Sequence, residues 1–315
     1  MNALSTRILL ATDGSEDAAF AARVATDLSR RTESKLYVAH AWRPAARGFG
    51  YPAVMWTDYS HLYEREARRL LERGVREIEA RGVSAEPRLL HGPPVEAILD
   101  LCEELEPGLV VVGSRGRGPI GRLLLGSVAE GVVHHARFPV LVARGGAWPP
   151  ERIVVGDDGS DDAGRAARLA LGIGDLYGVE GVLVRAYHNP PEPIGGWSAD
   201  DRRRLDEAAQ REQEAADERA EKLGRHLTSD PKVKVREGDA ALSLLVVAEE
   251  GSEERTLLAV GSRGLGPIRR LRLGSVSTDV LRAASGPVLI FPHAVRKAAE
   301  REARKTAAAV HPSGE

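Results

Sequence analysis

The segment GSRGRGPIGRLLLGS at residues 113–127 recurs as GSRGLGPIRRLRLGS at residues 261–275, and an apolar run precedes each copy. Two further pairs of segments follow the same order along the chain. They are ATDGS at 11–15 with GDDGS at 156–160, and FPVLVAR at 138–144 with GPVLIFP at 286–292. Three matched landmarks in one order indicate two homologous domains.

The landmarks also predict the domain boundaries. We place one domain at residues 1–146, the second at 147–292 and a polar helical tail at 293–315. The chain of 315 residues agrees with this division, because a typical domain has about 150 residues. The sequence GGAWPP at 145–150 fits a linker, since paired glycines and prolines interrupt secondary structure.

Each copy alternates short apolar runs with amphipathic stretches. In the first copy RILLATD, KLYVAHA, AEPRLLH, GLVVVGS and PVLVA predict five strands, and helices are expected between them, including 59–81 and 94–104. Ser15 is the expected N-cap of the first helix. Strands that are apolar throughout are typical of a parallel sheet covered on both faces. The predicted fold class is α/β, with two tandem doubly wound five-stranded parallel-sheet domains.

The composition excludes several function classes. With 44 basic and 46 acidic residues, the net charge of −2 gives no general attraction to nucleic acid or to an anionic membrane. Cys102 is the only cysteine and so has no disulfide partner within the chain; we expect it to be a packing residue. No signal peptide and no apolar run of about 18 residues is evident, and we therefore expect a cytoplasmic protein.

The repeated loop suits an anionic ligand. Glycines let backbone amides approach a ligand closely, and the Gly-Ser steps at 126–127 and 274–275 are positioned to begin helices whose amides favour phosphate. Arginines in the loop can pair with phosphate oxygens. The acids that end the first strand of each copy, Asp13 and Asp158, can instead accept hydrogen bonds from ribose or adenine. A loop, a helix start and an acid together predict a nucleotide site.

Two familiar nucleotide motifs are excluded or weak. The Walker A lysine is absent, which argues against a P-loop enzyme. The first copy contains a dinucleotide-binding motif, G-x-G-x-x-G, at Gly116, Gly118 and Gly121. In the second copy Arg269 takes the place of the third glycine, so the two copies do not share this motif. The pattern that both copies keep is G-x-x-G, nine residues, then G-S.

With an aspartate at the end of the first strand, this pattern resembles the ATP-binding branch of the universal stress protein family, in a tandem two-domain form. The resemblance extends to about residue 292. It implies a strand order of 3-2-1-4-5 and one ATP, ADP or AMP in each domain, with or without Mg²⁺. It also implies that the fifth strands pair within the chain as a pseudo-dimer, and that whole chains form a homodimer.

The resemblance further implies which residues bind the nucleotide. The adenosine side is assigned to Ala11, Thr12, Asp13 and Ala41 in the first copy and to Gly156, Asp157, Asp158 and Ala186 in the second. The extra acid of the second copy is expected to weaken its site. Ribose and phosphates are assigned to Gly113, Ser114, Arg115, Gly116, Gly118, Arg122, Gly126, Ser127 and Val128, and to Gly261, Ser262, Arg263, Gly264, Gly266, Arg270, Gly274, Ser275, Val276 and Ser277.

Several alternatives stay open from the sequence. Asp13 and Asp158 can serve as helix caps, Arg115 and Arg263 as solvated charges, and the aromatic residues between Pro44 and Trp56 either as a lid or as packing. No nucleophile, base and orienting group recur together, which favours a regulatory nucleotide-binding protein with at most slow hydrolysis. An ATP-dependent transferase or hydrolase and a purely structural oligomer are the alternatives. No metal-ligand set is predicted at His134 and His135.

Overall fold

The computed structural model describes residues 7–43, 53–115, 125–194, 196–228, 230–262 and 273–293, with side chains in the second helix described from residue 61. Phe49 and Tyr51, for which the sequence leaves a lid and packing open, lie outside these ranges, as does the side chain of Trp56. Residues 294–315 of the tail also lie outside them. Ten strands lie in the described part of the chain: β1 Arg7–Ala11, β2 Lys35–Trp42, β3 Ala85–His91, β4 Leu109–Gly113, β5 Val140–Ala143, β6 Arg152–Gly156, β7 Glu180–Tyr187, β8 Lys232–Glu237, β9 Thr256–Gly261 and β10 Val288–Phe291.

Eight α-helices alternate with these strands in the same described ranges. They are α1 Glu16–Thr32, α2 Ala53–Glu79, α3 Pro94–Leu105, α4 Ser127–His135, α5 Asp161–Tyr177, α6 Ala199–Gly224, α7 Ala240–Glu249 and α8 Ser275–Ala283. The α2 helix begins six residues before the predicted start at 59. The second copy predicts a helix over 199–227, and α6 ends three residues earlier, at Gly224. After Gly224 the amides of His226 and Leu227 bond to carbonyls three residues back, and the chain turns out of the α-helix.

All ten strands form one sheet in the order β3-β2-β1-β4-β5-β10-β9-β6-β7-β8. Each half of this sheet has the predicted order 3-2-1-4-5, and neighbours within a half are parallel. The halves join where β5 and β10 run antiparallel, with Leu141 opposite Leu289. The predicted pairing through the fifth strands is confirmed, and it produces a continuous sheet.

Two apolar layers cover the two faces of this sheet. Successive side chains of a strand point to opposite faces, so Ile8 and Leu10 join one buried layer while Leu9 joins the other. Helices α1, α2, α5 and α6 cover the first face, and α3, α4, α7 and α8 cover the second. Cys102 lies in the second layer, and burial raises the pKa of its thiol to about 12, which confirms the predicted packing role.

Helix caps and the linker follow the sequence closely. The hydroxyl oxygens of Ser15 and Ser160 accept hydrogen bonds from the amides of Ala18 and Ala163, and they cap α1 and α5 as the sequence predicts for Ser15. Trp148 of the linker packs against the first apolar layer.

None of the described helices combines the length and the apolar character that a membrane span requires.

The junction between the halves gives a test of the continuous sheet. The Leu141 side chain is fully buried, so Leu141→Ala is expected to lower the free energy of unfolding by about 2–5 kcal/mol. Leu242→Ala is the matched control, since that leucine is 61% exposed, and it should change stability by no more than about 0.5 kcal/mol. Urea denaturation followed by circular dichroism measures both, and equal effects would contradict the packing at β5.

Candidate functional site

The described residues of the predicted first-domain site lie at the carboxyl edge of its half-sheet. Because β1 and β4 are neighbours with Ala11 opposite Val112, the segments that follow them leave the sheet side by side. The Ser15 hydroxyl donates a hydrogen bond to the Arg115 carbonyl at 3.3 Å, which joins the two segments directly. The strand order reverses between β1 and β4, and that is the position where open α/β sheets form ligand crevices.

Arg115 has a protein partner in this crevice. Its guanidinium donates to both carboxylate oxygens of Asp17, at 3.0 and 3.2 Å, and the Ser114 hydroxyl donates to Asp17 at 2.5 Å. Burial alone would raise the pKa of the Asp17 carboxyl, but these hydrogen bonds outweigh it and lower the pKa. Asp17 therefore stays ionised and orients Arg115, and sequence reasoning did not single it out.

Gly113 is required for packing between β4 and α1. A Cβ at this position would lie 2.8 Å from the carbonyl carbon of Asp17 and 2.9 Å from the amide nitrogen of Ala18. Both are backbone atoms, so a side chain would push strand and helix apart. From the sequence, this glycine is expected to allow close approach of a ligand, whereas in the structure it allows close approach of α1 to β4.

The Gly-Ser steps begin helices, as predicted. Gly126 and Gly274 are the N-caps of α4 and α8, and neither end has a side-chain cap hydrogen bond. The Gly126 amide donates to the Ser114 carbonyl at 2.8 Å, and the Gly274 amide donates to the Ser262 carbonyl at 2.7 Å. The following amides belong to the first turn and have no acceptor within the helix. In α4 these are the amides of Ser127, Val128 and Ala129, and in α8 those of Ser275, Val276 and Ser277.

The turns after β1 and β6 carry the predicted acids. Asp13 accepts a hydrogen bond from the Ser15 amide at 3.0 Å, and Asp158 accepts the equivalent bond from the Ser160 amide at 3.0 Å. Each acid therefore orders the turn that precedes a helix, whereas the N-caps themselves are Ser15 and Ser160 and not the acids. Asp158 remains exposed at the edge of the sheet.

Asp157 lies inside the second domain and is held by two arginines. Its carboxylate is 1% exposed and forms ion pairs with Arg185 of β7 and with Arg219 of α6, the latter at 3.1 Å. Arg219 also donates to the Ser160 carbonyl at 2.6 Å, so it ties α6 to the turn after β6. We call Asp157, Arg185 and Arg219 the arginine clamp.

The arginine clamp distinguishes the second domain from the first. Thr12 and His40 take the positions of Asp157 and Arg185 in the first copy, where a ring nitrogen of His40 lies 2.7 Å from the Thr12 carbonyl oxygen. A Cβ at Gly164 would lie 2.9 Å from a guanidinium nitrogen of Arg219, so this glycine makes room for the clamp. Sequence reasoning missed both arginines, although a charge within the apolar run VLVRAY was the available signal.

Asp162 of the second crevice has a histidine partner among the described residues. Asp162, at the position equivalent to Asp17, is 5% exposed and pairs with the ring of His293. The His293 amide donates to the Ser262 hydroxyl oxygen at 2.8 Å, and the Ser277 hydroxyl donates to the Gly261 carbonyl at 2.6 Å. The second crevice is thus linked to the end of β10.

The remaining predicted residues divide into two groups. Ala41 and Ala186 are the last but one residues of β2 and β7, beside the strands that end at Ala11 and Gly156. Seven predicted ligands lie outside the described residues: Gly116, Gly118, Arg122, Arg263, Gly264, Gly266 and Arg270.

The packing of Gly113 leads to a stability prediction. Gly113→Ala is expected to lower the free energy of unfolding by about 1–3 kcal/mol, because the new methyl group meets helix backbone. Gly74→Ala in α2 is the control: a Cβ there meets nothing within 4 Å, and helix propensity should raise stability by about 0.5–1 kcal/mol. Chemical denaturation compares the variants, and an unchanged midpoint for Gly113→Ala would contradict the contact.

The arginine clamp leads to a further stability prediction. Asp157→Asn removes the charge that faces two arginines, and we expect a loss of about 3–5 kcal/mol. The neighbouring Asp158→Asn removes the same charge from an exposed carboxylate and should cost about 1 kcal/mol or less. Thermal and urea unfolding measure both variants. Similar losses for the two would show that the clamp adds no specific stability.

Comparison with known proteins places the chain in a family. The model of the universal stress protein family matches residues 5–144 and again residues 150–292. A universal stress protein of Mycobacterium tuberculosis H37Rv is 31% identical over 216 residues, which cover 64% of this chain and 63% of that relative. One from Thermus aquaticus is 38% identical over 142 residues, covering 44% of this chain and 97% of its own length.

A solved structure agrees with the fold. The crystal structure of a universal stress protein from Archaeoglobus fulgidus DSM 4304 covers 91% of this chain and 98% of its own, with 24% identity and a TM-score of 0.66. The similarity to the mycobacterial relative, in contrast, spans 63% of that relative's length. Because the family model matches most of the chain in two successive segments, the chain belongs to the universal stress protein family and carries two of its domains in tandem.

Proposed function

We propose that each domain binds one adenine nucleotide, ATP, ADP or AMP, at the carboxyl edge of its half-sheet. The nucleotide then acts as a conformational or assembly ligand in a stress response, with at most slow hydrolysis. One observation carries the proposal: α4 and α8 both begin without a side-chain cap, beside the position where the strand order reverses. Uncapped first-turn amides and the positive end of a helix dipole favour phosphate.

The phosphates are proposed to lie against these helix starts. Ser127 and Ser275 each add a hydroxyl at the first helical position. The glycine loops between β4 and α4 and between β9 and α8 supply further amides and guanidinium groups in this proposal. These loop ligands are Gly116, Gly118 and Arg122 in the first domain, and Arg263, Gly264, Gly266 and Arg270 in the second.

The adenosine is proposed to lie toward β2 and β7. Asp13 and Asp158 would accept hydrogen bonds from ribose, and the backbone of Ala41 and Ala186 would meet adenine at the adjacent strand ends. The described residues contain no group of three or more His, Cys, Asp or Glu that could hold a metal ion. A Mg²⁺ ion that enters with ATP would therefore be held mainly by phosphate oxygens and water, as is common for this ion.

Charge balance supports a nucleotide in the second domain as well. From the sequence, the extra acid at Asp157 is expected to weaken that site. In the structure Arg185 and Arg219 pair with its carboxylate, so the acid presents no uncompensated charge to a phosphate. We therefore propose up to two nucleotides per chain, with Asp158 as the ligand acid of the second site.

The nucleotide content of the protein tests the proposal directly. Mass spectrometry of protein denatured immediately after purification should detect an adenine nucleotide, and calorimetry should give up to two sites per chain. Gly116→Asp and Gly264→Asp should each remove one site, because a carboxylate there blocks the backbone and repels phosphate. Gly74→Asp, at an open position of α2, is the matched control and should leave the stoichiometry unchanged.

Other outcomes separate the alternatives. No released nucleotide and no calorimetric binding would leave a structural oligomer. Turnover of about 1 s⁻¹ or faster with an identified second substrate would instead indicate an ATP-dependent enzyme. Light scattering with and without ATP tests the proposed homodimer. The molar mass should report the fraction of dimer, and the hydrodynamic radius its shape, and one of the two should change when ATP is added.

A further inference from the structure

A pocket of about 340 Å³ lies beside the domain linker, away from both crevices. It is formed by α1 and the linker, and its volume is in the range of small-molecule sites. The α1 residues that line it run from Phe20 in the second turn to Arg31 at the end of that helix, whereas the crevice lies at its first turn. The lining residues include Phe20, Arg23, Asp27, Arg30, Arg31 and Trp148.

The charged groups of this pocket are mostly cationic. Three guanidinium groups face one carboxylate, that of Asp27, which leaves a net charge of about +2. Asp27 already accepts hydrogen bonds from the Tyr177 hydroxyl at 2.5 Å, from Arg30 at 2.6 Å and from the Trp148 indole at 3.1 Å. Burial alone would raise the pKa of Asp27, but these hydrogen bonds lower it, so the carboxylate stays charged and satisfied.

The arginines retain donors for a ligand. Arg23 forms no ion pair with any described residue, and its guanidinium carbon lies 5.1 Å from the centre of the Phe20 ring. Arg31 lies 4.3 Å from the centre of the Tyr177 ring and donates to the Leu176 carbonyl at 3.0 Å. The Phe20 and Tyr177 rings and the Leu176 carbonyl thus orient the guanidinium groups of Arg23 and Arg31. Because each guanidinium has five N–H donors, donors remain for a ligand.

We propose that this pocket binds a small phosphate-bearing anion with two or more negative charges, either free diphosphate or the phosphate groups of a phosphorylated metabolite. Guanidinium groups match phosphate oxygens in a bidentate arrangement and are oriented here by their aromatic contacts. Arg30 and Arg31 already form ion pairs with Asp27, at 2.6 and 3.6 Å, so an anion beside Arg23 would offset the charge that has no described ion-pair partner. It would contact both α1 and the linker that leads to the second domain.

The second domain lacks this arrangement, which makes the proposed site single. With the offset of 145 positions at this landmark, Asp27 corresponds to Gly172, Arg30 to Asp175 and Arg31 to Leu176. Only Arg23 has an arginine counterpart, Arg168, and that residue is also exposed on its helix. Arg168 therefore provides a matched control for a charge reversal at Arg23.

Tryptophan fluorescence gives a local test. Replacing Trp42, Trp56 and Trp197 with phenylalanine leaves Trp148, which lines the pocket, as the sole tryptophan. Titration with pyrophosphate should change its emission saturably, and calorimetry on the unsubstituted chain should detect the same event. Arg23→Glu should weaken pyrophosphate binding by about tenfold or more, and Arg168→Glu by less than about twofold.

The possible outcomes each decide the proposal. A second titration uses fructose 1,6-bisphosphate as the phosphorylated metabolite. If the Trp148 emission responds to neither anion, the proposal is overturned. An equal loss of pyrophosphate affinity in Arg23→Glu and Arg168→Glu also overturns the proposal. A preference for the sugar bisphosphate indicates a metabolite, and a preference for pyrophosphate indicates free diphosphate. Equal binding of citrate overturns the assignment to phosphate. Arg23→Gln repeats the test without a charge reversal if the glutamate variant does not fold.

Discussion

The antiparallel pairing of β5 with β10 is the contact on which both halves of the molecule depend. Each of these strands has four residues, and each is flanked on its other side by a parallel strand of its own half. The pairing leaves no open edge at the centre of the sheet, where an unpaired strand would expose backbone donors and acceptors. It also makes the carboxyl ends of the two halves point in opposite directions across the junction, so each half forms its own crevice.

The two crevices share a backbone framework and differ in the side chains around it. In both, a serine caps the first helix, and the N-cap glycine of the helix after the fourth strand bonds to the serine that follows that strand. Around this framework the first domain places Thr12 and His40, whereas the second places the arginine clamp. Removing one partner of a buried ion pair leaves an uncompensated charge, so the three side chains of the clamp depend on one another, and Gly164 supplies the space that Arg219 needs.

The linker is a structural part of the domain junction. The Trp148 indole donates to Asp27 of α1 and also to the Tyr177 hydroxyl at the end of α5, at 3.1 and 3.2 Å. Arg144, which follows β5, donates to the carbonyls of Leu281 and Ala284 at the end of α8, both at 2.8 Å. These contacts fix the two halves on both faces of the sheet, and on one face they border the cationic pocket.

The sequence by itself determined the strands, the cap at Ser15 and the helix starts at Gly126 and Gly274, because each depends on short-range spacing. It also determined the duplication, because three landmarks recur in the same order. Resemblance to the family supplied the strand order and the pairing of the fifth strands. Only the tertiary structure decided the partners of Arg115 and Asp157 and the packing role of Gly113. Arg115 and Arg219 meet acids 98 and 62 positions away, and no periodic pattern in a sequence specifies which side chains meet at such a separation.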